Sequence, residues 1–163
     1  MSTAVARVSV QTADFNLTDE VARLRRQDAQ IGAVVSFVGT VREWLPADRH
    51  AAPGPDACLE LEHYPGMTES AIEAMIDEAQ RRFELRGVRV IHRVGRLAVG
   101  EQIVLVVTAS SHRGQAFLAC EFLMDWLKTQ APFWKKEISA TGSRWVEAKV
   151  SDDEALARWR IQP

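Results

Sequence analysis

The chain has 163 residues, a formal net charge of −2 and acidic and basic residues mixed along its length. That length suits one domain with a genuine core, and the charge leaves no global basic field to hold nucleic acid, so any anion site must be built locally. No apolar segment follows the start and no run approaches the ~18 residues of a membrane helix, so the expectation is a single domain over residues 1–163, cytoplasmic and without membrane contact.

Taken in order, Val5, Arg7 and Ser9 alternate with Ala6, Val8 and Val10, a strand pattern. Thr18 is placed as the N-cap of a helix over 19–26, with acidic residues in its first turn and arginines in its last. Residues 32–41 (GAVVSFVGTV) form a β-branched run expected to be a buried strand. A Pro/Ala-rich stretch from Trp44 to Ala57 lacks periodicity and reads as a long mobile loop. Residues 58–64 alternate as a strand, and Ile72, Met75, Ile76, Ala79 and Phe83 give the apolar stripe of a helix over 68–83. Residues 88–94 alternate again, Gly95 and Gly100 bracket a short connection, and residues 102–109 (QIVLVVTA) form the most apolar strand.

A helix over 115–130 follows, with Phe117, Cys120, Met124 and Leu127 expected on its buried face and Ala116, Leu123 and Trp126 widening it. Residues 144–150 read as a last strand and 152–160 as a terminal helix with Leu156 and Trp159 on one side. Mixing helices with strand pairs, rather than strictly alternating them, points to an α+β domain. Cys58 and Cys120 are far apart, form no CxxC pair, and are read as small core residues.

The most informative stretch runs from Met124 to Glu137. Pro132 must end the helix because it lacks an N–H and pushes Ala131 out of the α region. Lys128 then lies in the last turn and Lys135 just beyond the break, among Trp126, Phe133 and Trp134. Apolar walls and a second cation both favour a neutral amine, so such a lysine can act as nucleophile or base. A lysine in a last helical turn also complements the macrodipole without further role, and a Trp beside a Lys is commonly a stem packed on a ring.

His112 and Arg113 stand at the entrance of the same helix, where free N–H groups and a bidentate guanidinium suit phosphate. Arg42 leaves the 32–41 strand. A solvated surface role is open for each. A fifteen-residue helix spans roughly 22 Å, so His112 and Arg113 cannot meet Lys128 along it unless the chain folds back or two subunits pool their ends. Arg42, His112, Arg113, Lys128, Lys135 and Arg144 together suggest a local pocket for a phosphorylated substrate. There is no GxGxxG, P-loop, GxSxG or HExxH motif and no paired cysteines, so no cofactor or metal is expected.

The segments HYPGMT (63–68), IHRVG (91–95), SHR (111–113) with Ala116 and Phe117, and MDWLKTQAPFWKKE (124–137) together resemble the large, catalytic subunit of molybdopterin synthase, over nearly the whole chain. The resemblance implies an α/β-hammerhead-like domain with a mixed and antiparallel sheet, acting in molybdenum cofactor biosynthesis. It implies a sulfurtransferase that converts cyclic pyranopterin monophosphate to molybdopterin. The sulfur comes from the C-terminal Gly-Gly thiocarboxylate of a small ubiquitin-like partner, in a heterotetramer built on a central homodimer.

Carried over, Lys128 matches the family's essential lysine and Lys135 its second active-site lysine. Arg42, His112 and Arg113 match groups assigned to the pterin and its phosphate, and Phe37 lies under the pocket. The Pro/Ala-rich stretch after Trp44 departs from the family pattern. Two rival readings are a non-catalytic docking module for the ubiquitin-like carrier and a CoA- or nucleotide-dependent acyltransferase, which the missing glycine-rich phosphate loop disfavours.

Overall fold

The computed structural model describes residues 5–44, 54–147 and 150–160. Chain order is β1 (Val8–Gln11), α1 (Leu17–Arg25), β2 (Ala33–Thr40), β3 (Cys58–His63), α2 (Met67–Arg82), β4 (Gly87–Arg93), β5 (Gly95–Ala98), β6 (Gln102–Ser110), α3 (Arg113–Thr129), β7 (Phe133–Ser139), β8 (Gly142–Trp145) and α4 (Val150–Arg160). The domain is α+β, as expected, and is built on two four-stranded sheets, β1-β4-β6-β2 and β5-β3-β7-β8. The first is mixed, with β1 parallel to β4 and antiparallel pairs elsewhere. The second is antiparallel throughout.

Two strands depart from the sequence expectation. The segment read as a connection after Gly95 is β5, paired with β3 from Leu61↔Gly95 to Cys58↔Ala98. The segment beyond Pro132 is β7, paired with β3 from His63↔Phe133 to Cys58↔Ile138. Its period of two is masked in the sequence because charged residues occupy both faces: Phe133, Lys135 and Glu137 alternate with Trp134, Lys136 and Ile138.

Other differences are local. Asn16, not Thr18, caps α1, its Oδ1 accepting from the Asp19 N–H at 3.1 Å. The 32–41 run forms an edge strand, with Ser36 and Phe37 exposed, rather than a buried one. α3 starts at Arg113, and Phe117 is 60 % exposed while the unforeseen Phe122 is fully buried. The strand expected over 144–150 is instead β8, closed onto β7 by a turn whose Gly142 has φ 134°. Most of the loop after Trp44, residues 45–53, lies outside the described residues, as do 148–149.

The main core packs α2 (Ile72, Met75, Ile76, Ala79) and α3 (Cys120, Phe122, Leu123, Leu127) on the face of β4 and β6, with Trp159 of α4 closing one end. Burial of each large apolar side chain there contributes roughly 1.5–3 kcal/mol. Burial raises the Cys120 thiol to about 11, so it is an inert core residue as expected, while Cys58 is only partly buried. A second cluster, Val41, Leu59, Leu61, Val94 and Leu97, is packed by Val10, Ile103 and Phe133 and joins the two sheets.

Candidate functional site

α3 delivers Lys128 in its last turn, ending where the Gln130 N–H reaches the Trp126 carbonyl at 2.7 Å. Pro132 follows, and β7 starts at once. Strand alternation then sorts the aromatic and basic residues. Phe133 and Lys135 turn inward, whereas Trp134 is exposed beside Tyr64, with ring centroids 6.4 Å apart. Lys136 projects to the other face, its Nζ 5.2 Å from the centre of the Trp145 ring. Trp126 packs on Phe122 on the core side, 5.8 Å between centroids, rather than walling the lysines. Of the three aromatics in this stretch, Phe133 alone reaches the cavity.

That cavity has a volume of about 360 Å³ and lies where the two sheets meet the end of α3. Its walls are apolar side chains of β2, β6 and α3, among them Phe37, Ile103, Val104, Met124 and Leu127, with Phe133 from β7; its polar groups include Lys128, Lys135, Thr40 and His92. A second cavity of about 350 Å³ adjoins it and shares Thr40, Ile103, Lys128, Phe133 and Lys135, adding Arg42, Trp44, Glu137 and Glu147. The two lysines therefore stand on the boundary between an apolar chamber and a charged vestibule. Ammonium groups are pure donors, so this boundary suits an anionic or carbonyl-bearing ligand.

The expected residues divide by location. Lys128, Lys135 and Phe37 line the inner cavity, and Arg42 joins the two lysines in the outer one. Arg144 is placed elsewhere, on β8, in a 2.7 Å ion pair with Glu137 beside a separate surface cleft. His112 and Arg113 are exposed at the start of α3, 16 and 15 residues before Lys128 and so about 22–24 Å from it along the helix, and neither lines either of these two cavities.

His92 is the site residue that sequence reasoning passed over. It sits on β4, is 7 % exposed, and stacks flat on Phe133 with ring centroids 3.7 Å apart and planes 19° apart. Its Nδ1 lies 2.8 Å from the Arg93 carbonyl oxygen. Burial pushes the imidazole down to about 4; the Arg93 carbonyl opposes that shift, and the charges of Lys135, Lys128 and His63 add to it. The signal present in the sequence was the period of two, which puts His92 on an inward position between Ile91 and Arg93.

Among the described residues no cluster of three or more His, Cys, Asp or Glu could hold a metal ion, and no helix is long and apolar enough to cross a membrane.

An α+β domain with two lysines on one cavity wall, across a Pro break, defines the class, and comparison with known proteins gives the family. The model described as "MoaE protein" matches residues 10–130. The molybdopterin synthase catalytic subunit of Ralstonia nicotianae is 56 % identical over 154 residues, covering 94 % of this chain and 84 % of that one. The protein of the same name from Vibrio cholerae is 51 % identical over 153 residues, covering 94 % and 97 %. The solved molybdopterin biosynthesis MoaE protein of Burkholderia ambifaria superposes with a TM-score of 0.79 at 52 % identity, covering 97 % of this chain and all of that one. The chain belongs to the MoaE family, the catalytic subunits of molybdopterin synthase, and so has an enzymatic role in molybdopterin formation.

Proposed function

We infer that the chain is a sulfurtransferase, moving sulfur from the C-terminal thiocarboxylate of a small ubiquitin-like subunit to cyclic pyranopterin monophosphate and so building the dithiolene of molybdopterin. The observation that carries this reading is the placement of Lys128 and Lys135 on the shared wall of two adjoining cavities. A heterocycle with an anionic group fits the apolar inner chamber, and an extended peptide tail can approach through the vestibule beside Arg42.

In this scheme the thiocarboxylate sulfur attacks a carbon of the substrate and displaces the oxygen bonded to it, which leaves with the C–O electron pair and takes up a proton, so that a thioester links the tail to the pterin. A second thiocarboxylate repeats the exchange at the neighbouring carbon. Water then cleaves that link; sulfur stays on the pterin and the tail leaves as a carboxylate. Negative charge develops on the acyl oxygen during hydrolysis, and a fixed ammonium such as Lys128 stabilises it where the apolar walls keep the local dielectric low. Lys135 and Arg42 hold the anionic substrate. Phe37 provides a flat apolar contact, and Arg144 supports the site only indirectly, through Glu137.

His112 and Arg113 reach the site in this reading only from a second copy of the chain, which calls for a central homodimer with one small subunit at each end. Such an assembly needs no membrane or nucleic acid and operates in the cytoplasm. The reading of the chain as a docking module without chemistry gives no role to two lysines converging on one cavity.

The test mixes purified chain, thiocarboxylated small subunit and cyclic pyranopterin monophosphate, and assays the dithiolene pterin. Turnover by the wild type and a fall of about 10²–10³-fold for Lys128→Ala are expected, the magnitude of losing one oxyanion-stabilising group. Normal product formation by Lys128→Ala removes the role given to that lysine.

A further inference from the structure

The inner cavity holds a group whose chemistry is opposite to that of its lysines. A backbone carbonyl can only accept, so the Nδ1 of His92, 2.8 Å from the Arg93 oxygen, must carry the ring hydrogen. That fixes the tautomer and leaves Nε2 with a lone pair. Nε2 has no hydrogen-bond partner among the described residues, yet it is not among their fully enclosed unsatisfied atoms, so it keeps contact with the cavity that the ring lines. The ring cannot swing away to find a partner, because Phe133 covers its face at 3.7 Å. The cavity thus presents two cationic donors and, on its floor, one neutral nitrogen acceptor held in place.

We propose that His92 is a specificity-determining residue of this cavity, its bare Nε2 accepting a hydrogen bond from an N–H of a planar, reduced nitrogen heterocycle whose anionic group is held by Lys135 and Arg42. This inference rests on the functional reading above and deepens it by assigning the recognition of the ring itself. These cationic groups satisfy the ligand's oxygens; they cannot read its N–H edge, since a donor facing a donor is repulsive. A neutral imidazole can, and burial keeps it neutral across the working pH range. An analogue with oxygen or carbon in place of that N–H leaves Nε2 desolvated and unpaired, which a buried polar site penalises strongly.

The test uses the chain with its thiocarboxylated small subunit. His92→Phe keeps the stack on Phe133 and removes the acceptor; His92→Gln returns an acceptor oxygen at similar reach. The expected result for His92→Phe is a KM for cyclic pyranopterin monophosphate raised about 10- to 100-fold with kcat changed by less than about threefold, and partial recovery in His92→Gln. A packing role alone would leave the Phe variant near wild type.

Nitrogen NMR of wild-type His92 gives an independent readout that does not depend on either variant folding. Added substrate should shift the Nε2 resonance upfield towards a hydrogen-bonded value and leave the Nδ1–H in place. An unchanged KM in His92→Phe, or an Nε2 resonance unmoved at saturating substrate, overturns the assignment while wild-type turnover leaves the functional reading standing. A wild-type complex that neither binds nor converts the pterin overturns both.

Discussion

Thr68, at the start of α2, donates from its Oγ to the carbonyl of Pro132 at 3.0 Å and accepts from the Tyr64 N–H at the same distance. It is fully buried. One hydroxyl therefore ties the turn that separates Lys128 from Lys135 to the turn that starts α2, and sets where the second lysine emerges. Thr68→Val keeps the shape and loses both hydrogen bonds, leaving the part-buried Pro132 carbonyl and Tyr64 N–H without that partner. A loss of about 1–3 kcal/mol is expected in urea unfolding. Turnover should fall as well, because the two lysines lose their fixed spacing, and Thr68→Ser should restore most of both.

The alternation of β7 separates two adjacent lysines by function. Lys135 faces the cavities, and Lys136 lies over Trp145 on the opposite side. Lys135→Ala is expected to reduce kcat/KM by about 10²-fold or more, and Lys136→Ala to stay within about twofold, since cation–π pairs at exposed sites are worth only ~0.5–1 kcal/mol. Steady-state assays with the same small-subunit preparation compare them. Equal losses would mean that β7 is not paired in the register Leu61↔Lys135.

His92 links the site to acid stability. Its imidazole is held at about 4 in the folded chain against an ordinary 6.5, so below pH 6.5 the unfolded chain takes up a proton that the folded chain refuses. Stability from this group is complete above pH 6.5 and is lost as pH falls towards 4. The full difference is on the order of 3 kcal/mol. Chemical denaturation of wild type and His92→Phe at pH 7 and pH 4 isolates it: the wild type should lose about that much more than the variant. Parallel losses in the two proteins would show that the imidazole titrates normally.

The sequence made Lys128 and the Pro132 break legible because proline's chemistry is local: a missing N–H ends a helix wherever it falls. α2, β4 and β6 were legible because their apolar periods are clean. β7 was not, since its inward face carries a lysine and a glutamate that look like solvent residues until the cavity is known. His92 followed from that omission. Its burial depends on Phe133 arriving from β7, a pairing through β3 that no local pattern announces. The exposure of Phe117 has the same origin: the face that α3 buries is set by the sheet beneath it, and Ala116, Ala119 and Phe122 take that face. His112 and Arg113 were placed correctly at a helix entrance, and distance alone removes them from the cavity of their own chain.

The buried ion pair of Arg89 and Glu20 fixes α1 against β4. Arg89 Nε lies 2.9 Å from Glu20 Oε2, and Nη1 donates to the Ala6 carbonyl at 2.9 Å, with both side chains less than a tenth exposed. Glu20→Ala strands a buried guanidinium and should destabilise by about 3–5 kcal/mol. A double replacement by Leu at 20 and Met at 89 should recover most of that, because removing both charges also removes both desolvation costs. Turnover at low temperature should be unaffected in the double variant, since the pair lies outside both cavities.

The distance between Arg113 and Lys128 gives the sharpest test of the assembly. If each site takes Lys128 from one copy and Arg113 from another, Lys128→Ala and Arg113→Ala homodimers are both inactive, but their mixture is not. In a mixed dimer one site carries both substitutions and the other carries neither. Random exchange makes about half of all dimers mixed, each with one intact site, so the mixture should recover about a quarter of wild-type activity. The measurement refolds or co-expresses the two variants at equal amounts and assays them with excess thiocarboxylated small subunit. Recovery near zero, with dimers shown to exchange by mass, would confine each site to one copy of the chain, and an Arg113→Ala homodimer that is active by itself would place Arg113 outside the site.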